Sequence, residues 1–291
     1  MKKHLFTLCA LLMALSVSAQ DMSGAKLVHK IWDNNTAPHS NGMAVAGETR
    51  NSRPTLTTEA VLYVYTPNPA AKNGRGVVIC PGGGYRHLSM ENEGAHMAAW
   101  FAAHGYTAAV LHYRMPNGCP EVPLEDACEA ISLLRGEKEG LPAEMHCAKV
   151  GIAGSSAGGH LAAMTSTMGS VRPDFSLLFY PVITAQEGKL HKGSFDNLLG
   201  EKRSKKLSEY YSLENRVTEQ TPPALILYAD DDRTVPSVNG PIYYEALKEH
   251  GIRSSLHIFP YGGHGFGMRD TFHYKHAWMP LMLDWIDTIL K

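Results

Sequence analysis

The chain has 291 residues, 27 Lys and Arg against 28 Asp and Glu, and a formal net charge of -1. That balance, with no run of five like charges, excludes the electrostatic footprint of a nucleic-acid or anionic-membrane partner. The length suits one large α/β domain or two small ones, and 44% hydrophobic residues is ordinary for a globular chain.

The chain opens with Lys2 and Lys3, an apolar run from Leu5 to Leu15, and small residues at Val17-Ser18-Ala19. This is the pattern of a secretory signal peptide, residues 1–19, cut after Ala19. Residues 20–291 then form a single domain, exported to the periplasm or secreted. No later segment reaches the ~18 apolar residues of a membrane span. Removing the leader leaves Cys80, Cys119, Cys128 and Cys147. Export permits disulfides, and Cys119 with Cys128 is the pair placed to bridge. Cys80 and Cys147 fall in or beside predicted buried strands, where a thiol packs as a small apolar group. The cysteine spacings do not resemble a zinc site.

Residues 20–54 read as an irregular lead-in draped over the domain, because Asn, Gly and Pro punctuate it. Leu56–Tyr65 alternates apolar with polar, a strand with one face covered. Gly76–Cys80 is a short buried strand, and Glu91–His104 a helix stopped by Gly105. Tyr106–Leu111 is the next strand. Pro123–Leu134 carries Leu124, Ala127, Ile131 and Leu134 on one stripe, as an amphipathic helix does. Strands follow at Val150–Ala153, Phe175–Tyr180, Ala224–Ala229 and Ser255–Phe259. Helices are expected after Ala157, over Ile242–His250 and over Pro280–Leu290, the last with proline in its first turn. Alternating strands and helices predict a doubly wound, mostly parallel sheet with helices on both faces. The long stretch Thr184–Pro223 is either a lid or one helical crossover, and the crossover is the simpler reading.

The chemistry centres on Gly154-Ser155-Ser156-Ala157-Gly158, which fits G-x-S-x-G between a strand and a helix. There a sharp turn exposes one serine while flanking glycines admit close backbone. A serine hydroxyl needs a histidine to take its proton and a carboxylate to orient that histidine. Such groups collect at the carboxyl ends of parallel strands. Asp230-Asp231-Asp232 follows the strand at 224–229, and Gly262-Gly263-His264-Gly265 follows the strand at 255–259. Among fifteen histidines, His264 stands out for its flanking glycines. His160 reads as a packing residue, His257 as part of a strand, and His273 and His276 as rim. Three adjacent aspartates cannot all be buried and charged. Asp232, where the chain turns toward the next helix, is the orienting acid, with Asp231 in reserve. An oxyanion needs N–H donors. Ala157 offers one, and Pro81-Gly82-Gly83-Gly84-Tyr85 supplies the other through Gly83, Gly84 or Tyr85. A phosphate loop is the rival reading of those glycines, but no Gly-Lys-Ser/Thr follows. Trp32, Tyr85, Met268 and Trp278 could line a sugar platform or pack in the core.

Those pieces, with Tyr113-Arg114, Asp232-Arg233-Thr234-Val235-Pro236 and Gly263-His264-Gly265-Phe266-Gly267, resemble the α/β-hydrolase superfamily. More narrowly, the chain is similar to bacterial exported esterases of the acetyl esterase and acetyl-xylan esterase type. The resemblance runs from about Gly76 to the C-terminus. It implies a catalytic Ser156, Asp232 and His264, and an oxyanion hole from Gly83, Gly84 and Ala157. It implies no cofactor and no metal. It further implies a serine carboxylesterase that takes small acyl groups, acetyl foremost, from carbohydrate such as acetylated xylan or xylo-oligosaccharides. One departure is Pro81, where related lipases carry the histidine of His-Gly-Gly-Gly. Two other readings compete. One is a prolyl-oligopeptidase-type serine peptidase, which usually carries a further propeller or gating domain for which the lead-in is too short. The other is a non-catalytic carbohydrate-binding module, which has no use for a complete nucleophile, base and glycine loop.

Overall fold

The computed structural model describes residues 22–43, 48–50, 53–55 and 57–291. The leader read at residues 1–19 lies outside them. Strands β1 (Leu27–Asp33), β4 (Glu59–Tyr65), β5 (Arg75–Cys80), β6 (Thr107–His112), β7 (Lys149–Ser155), β8 (Ser176–Phe179), β9 (Ala224–Ala229) and β10 (Ser254–Phe259) make one 8-stranded sheet. Its order is β1-β4-β6-β5-β7-β8-β9-β10. A separate antiparallel pair joins β2 (Glu48–Arg50) to β3 (Arg53–Thr55). From β6 to β10 neighbouring strands are parallel, and β4 runs antiparallel to β1 and β6. The inner strands are apolar on both faces. Val77, Val78, Ile79 and Cys80 of β5, and Ala224 to Ala229 of β9, are all buried. This is expected where helices cover a parallel sheet on both sides.

Helices α1 (His96–Ala103), α2 (Glu121–Leu134), α3 (Ala157–Met168), α4 (Lys192–Leu199), α5 (Lys205–Tyr210), α6 (Asn239–Glu249) and α7 (Lys275–Ile289) complete the expected α/β-hydrolase arrangement. The chain passes from β5 outward to β6, then back across β5 to β7. That reversal opens a crevice at the carboxyl ends of β5 and β7, where ligands bind in open α/β sheets. The glycine loop leaves β5 and Ser156 leaves β7, so both open into this crevice.

Several expectations change. The lead-in is not wholly irregular, since β1 adds an edge strand paired with β4 from Leu27↔Val64 to Asp33↔Glu59. The predicted helix at 91 starts as a π turn, Glu91–Ala95, with Ala95 N–H reaching the Met90 carbonyl at 2.7 Å. The last helix starts at Lys275, so Pro280 sits inside it rather than in its first turn. Proline removes one helical hydrogen bond, and packing outweighs that loss: Trp278, Met282 and Ile286, four residues apart, are all fully buried. Cys119 and Cys128, the pair placed to bridge, are free thiols, as are Cys80 and Cys147. Cys119 Sγ instead donates to Glu121 Oε2 at 3.4 Å. The stretch 184–223 is the helical crossover from β8 to β9, carrying α4 and α5. Among the described residues no helix is long and apolar enough to cross a membrane.

Candidate active site

Ser156 caps α3 with φ 55° and ψ -118°, a conformation that only a constrained turn holds in a non-glycine residue. The flanking glycines are steric necessities. A Cβ on Gly154 would lie 2.1 Å from the Gly158 carbonyl oxygen, and one on Gly158 would lie 2.1 Å from that of Cys80. The turn leaves Ser156 only 5% exposed, with Oγ 2.8 Å from His264 Nε2. His264 Nδ1 lies 2.7 Å from Asp232 Oδ2. A carboxylate only accepts, so Nδ1–H donates to Asp232 and Nε2 is left to accept from the serine hydroxyl.

The three aspartates divide the work. Asp232 is buried, and its Oδ1 accepts from the backbone N–H groups of Thr234 (2.8 Å) and Val235 (2.9 Å). Its other oxygen is thereby aimed at the imidazole. Asp231 is exposed and accepts from Gly263 N–H at 2.7 Å, one residue before the histidine. Asp230, also exposed, accepts from the Ser237 hydroxyl at 3.1 Å. One carboxylate faces the imidazole, one holds its loop and one faces solvent, which resolves the like-charge conflict.

Gly83 (φ 137°) and Gly84 (φ 66°) line the same cavity as Ser156 and His264, a cleft of about 290 Å³. A Cβ on Gly83 would sit 2.0 Å from the His87 carbonyl oxygen. Among the described residues, the N–H groups of Gly83, Gly84 and Ala157 find no acceptor, leaving them for a ligand.

The cavity also holds groups that the sequence did not single out. Glu93 is 5% exposed and forms no ion pair among the described residues. Its Oε2 accepts from Gly82 N–H and its Oε1 from the Tyr180 hydroxyl, each at 2.8 Å. Burial pushes the Glu93 carboxyl up, while the hydrogen bonds from Tyr180 and Gly82 and the positive charges of His264 and Arg269 oppose that rise. Tyr180 accepts from Gly267 N–H at 3.0 Å and sets its ring edge-on to His264 at 4.9 Å. Asn92 grips the same loop, with Nδ2 donating to the Gly265 carbonyl (3.3 Å) and Oδ1 accepting from Met268 N–H (3.1 Å). The π turn thus ties the glycine loop to the histidine loop. No local pattern announced Glu93, since an acid at the start of a helix ordinarily faces water. His191, brought in by the crossover, lines the cavity, and burial and the neighbouring His264 hold its imidazole below the usual range.

Other expectations resolve toward packing. His160 is buried: its Nε2–H donates to the Tyr211 carbonyl (2.9 Å), and its Nδ1 accepts from the Tyr85 hydroxyl (3.0 Å). His257 lies in β10, and His273 and His276 lie outside the cavity lining. Tyr85, Met268 and Trp278 are buried rather than forming a platform, and Trp32 Nε1 donates to Asp126 Oδ1 at 2.5 Å.

The sheet order, the strained turn at Ser156 and the Ser156–His264–Asp232 row define an α/β-hydrolase of the serine-hydrolase type. Residues 138–291 match the model of the prolyl oligopeptidase family, and residues 62–178 match the BD-FAE model. The chain belongs to the prolyl oligopeptidase family. It is similar to an acetylxylan esterase of Xylanibacter ruminicola, with 40% identity over 227 residues, 76% of this chain and 47% of that protein. It is also similar to endo-1,4-beta-xylanase B of Butyrivibrio fibrisolvens, with 33% identity over 221 residues, 70% of this chain and 34% of that protein. The chain therefore spans less than half the length of either relative. A solved structure, the acetyl ester-xyloside bifunctional hydrolase of Caldicellulosiruptor lactoaceticus, superposes with a TM-score of 0.73 at 31% identity, covering 90% of this chain and 96% of that one.

Proposed function

We propose that the chain is a serine carboxylesterase that removes small acyl groups, acetyl foremost, from carbohydrate such as acetylated xylan or xylo-oligosaccharides. The observation that carries it is the Ser156 hydroxyl 2.8 Å from His264 Nε2 beside amides without acceptors. In this reading Ser156 Oγ attacks the ester carbonyl as His264 Nε2 takes its proton. The N–H of Ala157 and those of Gly83 and Gly84 receive the oxyanion, developed only at the transition state. Collapse expels the sugar hydroxyl, which leaves with the proton from His264. Water, deprotonated by the same imidazole, then releases acetate and restores the serine. Asp232 holds the tautomer and stabilises the imidazolium throughout.

The names of the relatives support the ester and the xylan-type sugar, whereas the family's name points to peptide bonds. Turnover of acetylated xylo-oligosaccharides against a proline-containing dipeptide amide separates the two. The leader read at residues 1–19 supports export to the periplasm or beyond, where such a polymer is met. Ser156→Ala is expected to lower kcat on 4-nitrophenyl acetate roughly a million-fold without unfolding the protein. Asp232→Asn, which leaves the wrong tautomer favoured, is expected to lower it about ten-thousand-fold. Full turnover by the Ser156 variant rejects the assignment, and so does failure of a fluorophosphonate to label Ser156 stoichiometrically.

A further inference from the structure

A second cavity of about 280 Å³ lies on the far side of the glycine loop. Gly83 and Gly84 line the cleft at Ser156, and the next two residues, Tyr85 and Arg86, line the second. Consecutive Cα atoms are about 3.8 Å apart, so the two spaces are neighbours across one loop. The crossover braces this arrangement. Asn197, at the end of α4, donates from Nδ2 to the Gly84 carbonyl (2.8 Å), and its own carbonyl accepts from Gly118 N–H (3.2 Å).

The lining has the chemistry of a sugar site. Half-buried Met43 offers apolar surface for pyranose C–H groups, while Met115 and Tyr85 are buried in the cavity wall. Arg86 and Glu201 are both exposed, line the same cavity, and make no ion pair or hydrogen bond through their side chains among the described residues. One offers donors and the other acceptors. Asn117 spends Nδ2 on the Asn41 carbonyl at 2.9 Å, and Asn197 spends its own on Gly84, so among the described residues each keeps an amide oxygen free to accept. Asp196, the other acid here, is already paired with Lys192 and Arg203. The two unpaired charges on the lining, Arg86 and Glu201, are of opposite sign. A ligand rich in hydroxyl groups and without net charge satisfies such walls, whereas an anion or a cation meets an uncompensated partner.

We propose that this cavity is a subsite for a neutral sugar unit adjoining the one whose ester is at Ser156. It rests on the carbohydrate esterase reading and adds to it a means of choosing glycan esters over small ones. A simple aryl acetate does not extend past the glycine loop, so the subsite acts through the ratio of kcat/KM on acetylated xylotriose to kcat/KM on 4-nitrophenyl acetate. Glu201→Ala and Arg86→Ala are each expected to lower that ratio about tenfold, the value of one charge-assisted hydrogen bond, and the double variant lowers it further. Lys248→Ala, on the exposed side of α6, leaves the ratio where it is. An unchanged ratio in both single variants and in the double overturns the subsite while the esterase reading stands. Wild-type protein that turns over the aryl ester but no acetylated sugar overturns the carbohydrate reading itself, and the subsite with it.

Discussion

Asp126 lies on α2 against Trp32 of β1, and Glu93 lines the Ser156 cavity; both carboxylates are buried, yet they are satisfied in different ways. Asp126 faces the fully buried guanidinium of Arg114, whose Nη2 donates to Oδ1 at 2.7 Å and whose Nε donates to the same oxygen at 3.0 Å. Arg114 also reaches Glu125 Oε1 at 2.7 Å and the His39 carbonyl at 2.6 Å, and Trp32 adds a donor to Asp126. That network fastens the N-terminal lead-in to α2 and is a structural clamp. Among the described residues no cation is bonded to Glu93; a backbone amide and a phenol are its partners. Held this way, Glu93 joins the glycine loop at Gly82 to Tyr180, whose hydroxyl accepts from Gly267 in the histidine loop. Buried acids without a bonded cation are the ones to inspect at a candidate active site.

Removing Asp126 should break the comparison most visibly. Asp126→Ala leaves a buried guanidinium without its main partner and is expected to cost about 3–5 kcal/mol of stability. The check is the denaturation midpoint together with kcat per folded molecule, which should hold.

His160, a third buried group, sharpens the comparison through pH. Burial lowers its imidazole from 6.5 to about 4. Between those values the unfolded chain binds the proton and the folded one does not. The stability this group contributes is therefore complete above pH 6.5 and lost as pH falls toward 4, by about 3 kcal/mol. Unfolding free energies measured across that window should show the slope in wild type and a flatter one in His160→Gln.

Glu93→Ala is expected to lower kcat about 100-fold with a smaller change in KM, because the glycine loop it anchors is proposed to bind charge formed only at the transition state. Glu93→Gln retains an acceptor for Gly82 N–H and should recover most of the rate. Equal losses in kcat from both variants would show that the charge, rather than the tether, matters. The smallest effect is expected from Trp32→Phe, about 1 kcal/mol for one hydrogen bond to Asp126, with esterase kinetics unaltered.

Much of the site was legible before any coordinates, because it is written in local backbone demands. A strand, G-x-S-x-G and a helix require one tight turn, and Gly154, Gly158, Gly82 and Gly83 sit where neighbouring backbone leaves no room for a Cβ. The order of Ser156, Asp232 and His264 along the chain, each after a strand, follows from a parallel sheet whose carboxyl ends share one edge. Boundaries were less legible: Pro280 suggested a helix start, and only the burial of Trp278, Met282 and Ile286 shows why the helix runs through it.

The sequence by itself determined the α/β class, the nucleophile turn and the residues able to serve as base and orienting acid, since each depends on steric or periodic constraints among near neighbours. Only the tertiary structure decided that Cys119 and Cys128 stay thiols, that β1 joins the sheet, and that Glu93, His191 and Tyr180 meet at the serine. Those outcomes depend on distances between segments far apart in the chain. No short-range pattern encodes such distances, because packing of the whole sheet and its crossovers sets them.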